Sequence, residues 1–347
     1  MMKTSLKSEF KRLFREAFDE PARWIDWFAE SVYRDDDLLA LEEDDRVVSA
    51  LLLSRYEMSF HGTRLPIGYI SCVATAKAYR GRGLMHRLIT RAINVAAERG
   101  DAICTLIPAG DRLYYFYDRF DFATVYYVDE MRYTALHTFT ADTDFKPVAP
   151  DYATFSRLEA LRPCTVMHSE RDFVNIMHDI GLDGGKVLAV SGPDGRAAMA
   201  FASIGESVTV KDLLATDCRA AEAVLALVRA EVGEKPIIVW GEPDRRATRL
   251  RSRGMARIVN VEAVLSTIAA ADHDVDQVIR VTDPYIQANN GIYIMRNGEC
   301  DRTEHTMRRI TLDVNINVLT RIIFSSPRIA DVFGLPGARP MLPMMLD

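Results

Sequence analysis

The fold turns on the stretch Val73-Ala74-Thr75-Ala76-Lys77-Ala78-Tyr79-Arg80-Gly81-Arg82-Gly83-Leu84. A short apolar run delivers the backbone into two glycines flanked by arginines. A helical stripe then begins at once, with Leu84, Leu88, Ile89, Ala92, Ile93 and Ala96 on one face, and stops at Gly100. A strand, glycine turn and helix in this order leave the first helical amides unpaired, add the positive end of the helix dipole and allow close approach to the backbone. Lys77, Arg80, Arg82, His86, Arg87 and Arg91 surround the turn, and no carboxylate falls between Tyr69 and Arg91. The unit predicts a cradle for a pyrophosphate. It lacks the Gly-Lys-Ser/Thr of a P-loop and the three-glycine spacing of a dinucleotide fold, so nucleoside triphosphates and NAD are disfavoured.

Working outward, residues 1–20 carry Leu6, Phe10, Leu13, Phe14, Ala17 and Phe18 at helical spacing, an amphipathic core helix rather than a signal peptide. A second helix is expected over 21–33. Residues 38–41 and 47–54 read as strands about a charged turn, with a third strand from Arg55 that reverses at His61-Gly62 and leads into 67–75. Residues 102–107 predict a strand buried on both faces, followed by a short helix over 112–119. The expected organisation is a mixed α/β block over 1–137, a polar, Pro-containing linker over 138–150, a second α/β block over 151–271 and a small third block over 272–347. The second block shows a turn at 192–195, a helix over 220–232, a strand over 236–240 and a basic helix over 244–253. Its order of elements echoes the first block. The third holds strands over 279–282, 291–296 and 311–314, helices over 317–324 and 328–333, and an apolar terminal tail.

The chain has 347 residues, more than one hydrophobic core organises. Forty-nine acidic against 43 basic residues give a net charge of -6, which opposes nucleic-acid binding outside a local patch. Five scattered cysteines without a CxxC and seven histidines without ligand spacing signal neither disulfides nor a metal, and fit a reducing cytoplasm. No apolar run approaches the roughly 20 residues of a membrane span. Arg245, Arg246, Arg249, Arg251 and Arg253 lack aromatic interleaving and read as a solvated helix.

At the glycine turn the chain resembles the GNAT family of acetyl-CoA-dependent N-acetyltransferases, whose Arg/Gln-x-x-Gly-x-Gly/Ala signature is matched by Arg80 and Gly83, with Met85 in place of the final small residue. Tyr117-Asp118-Arg119-Phe120-Asp121-Phe122 resembles the family's Tyr-x-x-Phe-Gly-Phe segment, with Asp121 where that pattern has glycine. Two such blocks followed by a sterol-carrier-like module resemble the enhanced intracellular survival (Eis) type over essentially the whole chain. The resemblance implies an α+β fold of tandem GNAT-like domains and an enzyme that transfers acetyl from acetyl-CoA to a primary amine, whether a polyamine-like or aminoglycoside-like molecule or a lysine side chain. It implies Val73 and Thr75 as backbone partners of pantetheine and Arg80, Gly81, Arg82, Gly83 and Leu84 as the pyrophosphate turn. It also implies Tyr117 as proton donor to the departing thiolate and the C-terminal carboxylate as base, where Asp347 offers both an α-carboxyl and a side chain. Residues 70–75 contain no glutamate that could serve instead. Trp24, Trp27, Phe28 and Glu30 are candidates for an acceptor pocket, with core packing of the tryptophans as the other reading. The second block lacks a glycine-basic turn, so cofactor binding is expected in the first alone. A non-catalytic acyl-CoA or lipid carrier is the competing function. RNA-dependent transfer would need a basic face that the net charge opposes. A homo-oligomer is compatible with the sequence.

Overall fold

Amphipathic helices and long strands open the chain, as the periodicity predicts. The computed structural model describes residues 5–243 and 250–346. Helix α1 (Leu6–Ala17) starts at Ser5, whose hydroxyl accepts from Ser8 N, and buries Phe10, Leu13 and Phe14. Helix α2 (Ala22–Ser31) buries Trp24, Ile25, Phe28 and Ala29, and Trp24 and Phe28 stack on Phe14 at centroid distances of 5.9 and 6.1 Å. Strands β1 (Leu38–Glu43), β2 (Arg46–Phe60) and β3 (Thr63–Thr75) form an antiparallel meander. β2 runs unbroken through Arg55, where a new strand was expected, because Ser54 and Arg55 stay in register with Tyr69 and Gly68. The reversal comes at His61 and Gly62, both with positive φ. Helix α3 (Leu84–Glu98) crosses over to β4 (Ile103–Leu106), which pairs parallel to β3, and α4 (Asp111–Asp118) leads into β5 (Ala123–Tyr133).

The chain continues through β6 (Lys146–Val148), α5 (Tyr152–Glu159), β7 (Cys164–Met167), α6 (Glu170–Leu182), β8 (Lys186–Ser191), β9 (Ala197–Ile204), β10 (Val208–Ala215), α7 (Cys218–Val232), β11 (Ile237–Gly241) and β12 (Leu250–Ile258). Then come α8 (Val261–Ala271), β13 (Gln277–Thr282), β14 (Gly291–Arg296), β15 (Glu299–Thr303), β16 (Leu312–Asn315), α9 (Ile316–Ile323) and α10 (Pro327–Asp331). Residues 250–253, expected in a basic helix, are strand: Arg251 donates to Glu130 Oε2 at 2.7 Å and Arg253 lies 5.4 Å over the Trp240 ring, so alternating contacts replace a helical face. The rest of that expected helix, 244–249, lies outside the described residues.

Two compact units result. The first joins the residues up to Tyr126 with Gly254–Pro340. Its main sheet runs β1-β2-β3-β4-β12, with Met255 to Ile258 antiparallel to Leu106 to Ile103. The apolar face of α3 packs Leu88, Ile89, Ala92 and Ile93 against Leu51, Ile70, Leu106 and Phe120 in one core. A separate four-stranded sheet, β15-β14-β13-β16, belongs to the same unit.

The second unit comprises residues 127–243 and 250–253 with 341–346. Its sheet runs β5-β11-β10-β9-β8-β6. β10, α7 and the parallel β11 repeat the strand–helix–strand crossover of the first unit. Residues 138–150, expected as a linker, contain β6 and bury Phe139 and Phe145 in the core with Ala198, Val210 and Val224. Two apolar rings outweigh their polar neighbours there. Arg162 donates to both carboxylate oxygens of Asp212, at 3.1 and 2.6 Å, inside this unit. The terminal segment is pinned here too: Met341 N donates to Cys164 O at 2.9 Å, Val166 N donates to Met341 O at 3.2 Å, and residues 341–346 are buried.

Candidate active site

The site begins with a defect in β3. Pairing with β2 passes from Ala50↔Ala74 to Leu52↔Ser71, so Cys72 and Val73 oppose Leu51 alone in a β-bulge, and Cys72 takes the left-handed φ of 53°. The parallel register with β4 runs from Ile67↔Ile103 to Ile70↔Leu106 and stops just before the bulge. Past that point β4 has ended, and Val73 to Thr75 lie beside a cleft instead of a neighbouring strand.

The chain leaves β3 through a single 3₁₀ turn over Lys77–Tyr79, anchored where Lys77 N donates to Glu16 Oε1 of α1 at 2.6 Å. Arg80 is extended, while Gly81 and Gly83 hold φ of 78° and 74°. Gly83 is the N-cap of α3 and offers no side chain to its first amides, and the first turn contains no acidic residue. Those amides are free for an anion. Arg80 Nε donates to Thr75 O at 3.1 Å, and the Thr75 hydroxyl lies 2.8 Å from Ser49 Oγ, so strand and turn are tied together. Arg82 turns aside: it lies 4.8 Å over the Tyr79 ring with Nη1 3.6 Å from Glu43 Oε2.

A cleft of about 660 Å³ opens at this turn. Val73, Thr75, Arg80, Gly81, Gly83 and Leu84 line it, and Arg82 is the one nominated cofactor residue outside its lining. His86 of the basic surround also lines it, together with Phe18, Met85, Phe116 and Arg119, which are not among the residues expected to touch the cofactor. Arg119 could have been found from its place inside the Tyr117–Phe122 motif. Phe18 gave no signal, because it follows the helical stripe of α1. The chemistry fits a diphosphate ester with a long thin arm: uncapped amides and guanidinium groups at one end, and a strand edge beyond.

Tyr117 sits on the inward face of α4, 5% exposed, edge-on to Phe116 and Phe122. Burial pushes its phenol well above the ordinary range, so it stays protonated at any pH the protein meets. Trp24 and Phe28 lie in the aromatic layer between α1 and α2, Trp27 meets Trp24 edge-on, and Glu30 pairs on the surface with Lys7 at 3.2 Å. No carboxylate lines the cleft among the described residues, and Asp347 lies outside them. At the corresponding crossover of the second unit, α7 is capped by Asp217, whose carboxylate accepts from Ala220 N and is thereby held below its usual range. An acid occupies the place an anion would need. No cluster of metal-ligating side chains occurs among the described residues, and no helix there is long and apolar enough to cross a membrane.

Comparison with known proteins agrees with this geometry. Residues 2–125 match the family described as an acetyltransferase (GNAT) domain. No curated protein matches the sequence. Among solved structures, a probable N-acyltransferase of unknown function from Enterococcus faecalis is similar at a TM-score of 0.80 and 15% identity, over 99% of this chain and 97% of that one. A GCN5-related N-acetyltransferase from Anabaena variabilis is similar at 0.77 and 16%, over 98% of each chain. Eis1 from Mycobacterium abscessus is similar at 0.73 and 18%, over 96% and 92%. The chain therefore shares the mixed α/β fold of these structures, and its first 125 residues carry the match to an acetyltransferase (GNAT) domain.

Proposed function

We propose that the chain uses acetyl-CoA to acetylate a primary amine: a small polyamine-like or aminoglycoside-like molecule, or a lysine side chain. The observation that carries this is convergence. Six residues nominated from sequence as cofactor contacts line one cleft at an uncapped helix N-terminus, beside the edge of β3 beyond the end of β4. Arg80 and the α3 amides hold the diphosphate, and the edge of Val73 to Thr75 pairs with the pantetheine arm. Acetyl-CoA supplies an activated thioester, so no protein nucleophile is required. Tyr117, a phenol that is neutral at working pH, holds the proton that the leaving sulfur needs, and Asp347 takes one from the amine. Of the four acceptor candidates, Trp24 and Phe28 pack in the core, while half-buried Trp27 and exposed Glu30 keep the outer side of α2, where an amine could be met. The capped α7 supports cofactor binding in the first block alone, and the last block is read as sterol-carrier-like.

The test is release of free thiol from acetyl-CoA with a panel of amines, beside calorimetric titration of CoA. Turnover with at least one amine and one CoA per chain is expected. Binding without any thiol release would favour an acyl-CoA carrier, and no binding would remove the proposal altogether.

A further inference from the structure

The C-terminal end of α4 is held by residues distant in sequence. A helix ends with carbonyls that lack helical partners, and at α4 three carbonyls of the following turn are taken by side chains from 254–340 in the same unit. Tyr285 Oη donates to Arg119 O at 3.0 Å, Arg257 Nε donates to Phe120 O at 3.0 Å, and Asn317 Nδ2 donates to Phe122 O at 3.0 Å. Arg257 is fully buried, and its Nη2 donates to Asp283 Oδ1 at 2.5 Å. Asp283 is fixed in turn by Tyr285 N, Ile286 N and Asn289 Nδ2 at 2.9, 3.1 and 2.8 Å. A guanidinium buried with its counter-ion and hydrogen-bonded through all three nitrogens is a rigid element. What it grips is the turn in which Asp121 takes a φ of 60°, a conformation that needs outside support.

That turn also carries Arg119, whose guanidinium lies 5.1 Å over the Phe116 ring, and both side chains line the cleft. Arg119 thus joins Arg80 as a second guanidinium in the lining. We propose that Tyr285 and Arg257 are positioning residues for the cofactor, holding the backbone of α4's last turn so that Arg119 meets the phosphates of CoA. The inference rests on the cleft being the CoA site.

Calorimetric titration with CoA of the full chain and of Arg119→Gln, Tyr285→Phe, Arg257→Lys and the two double variants tests it. Arg119→Gln should raise Kd about tenfold and flatten its salt dependence. Tyr285→Phe should raise Kd about fivefold alone and leave it unchanged in the Arg119→Gln background, the non-additivity expected of coupled residues. Arg257→Lys should behave likewise, and if it does not fold the Tyr285 cycle decides. Additive losses, or no change with Tyr285→Phe, would overturn the inference. Arg80→Ala is the control: if it weakens binding while the Tyr285 cycle shows no coupling, only this inference falls. If the unaltered chain binds no CoA, both it and the acetyltransferase proposal fall.

Discussion

Tyr117 is the residue on which the proposed chemistry is most exposed to test. Its phenol is buried, and desolvation favours the neutral form. Replacing it with Phe should lower kcat about a hundredfold while the Kd for CoA stays within twofold, because proton donation belongs to the transition state. A loss confined to cofactor affinity would assign Tyr117 to the pocket wall instead. Single residues were unevenly legible in the sequence. Arg80, Gly81 and Gly83 announced themselves through a spacing that has one mechanical use. Arg82, identical in type and two positions away, does something different because Glu43 and the Tyr79 ring reach it from elsewhere in the fold. Glu9 shows the same dependence on distant partners: Arg12 and the Val47 amide hold its carboxyl below the usual value. A depressed carboxyl stabilises above its unfolded pKa of about 4.3 and ceases to do so as pH falls through the folded value. Chemical denaturation from pH 6 down to pH 3 should therefore show a steeper loss for the unaltered protein than for Glu9→Gln.

At the scale of elements, the start of α3 concentrates the risk. Gly83 has open space where a Cβ would sit, so the obstacle to a side chain is its φ of 74° and nothing else. Gly83→Ala should cost about 1–2 kcal/mol of stability by thermal or urea denaturation and should weaken CoA binding as the first amides tilt. Unchanged binding would detach the turn from the cofactor. Helices and their faces were read well from periodicity, since α1, α2, α3 and α7 each bury one stripe. Strand ends were read less well. β2 continues through Arg55, and the arginines at 251 and 253 sit on a strand, because cross-strand partners decide these cases and a local window does not contain them. The bulge at Cys72, which shapes the cleft, has no sequence signal, since cysteine is not a residue that favours a left-handed φ.

For the whole molecule, the block boundaries drawn from composition differ from the compact units. Residues 254–340 join the unit that holds the cleft, and the terminal segment 341–346 joins the other. Chain order alone gives no hint of such returns. In the second unit the buried Arg162–Asp212 pair makes a distinct prediction. Arg162→Met should cost about 3–5 kcal/mol, leaving Asp212 buried and unpaired, whereas Arg162→Met with Asp212→Leu should recover most of it. Urea midpoints of the two variants would separate these outcomes, and equal midpoints would contradict the account. The edge of β3 left open beyond the end of β4 also carries a kinetic consequence. The open edge of Val73 to Thr75 follows from backbone geometry and local positive charge, so binding of CoA should be fast and should slow as ionic strength rises, which stopped-flow mixing at two salt concentrations would check.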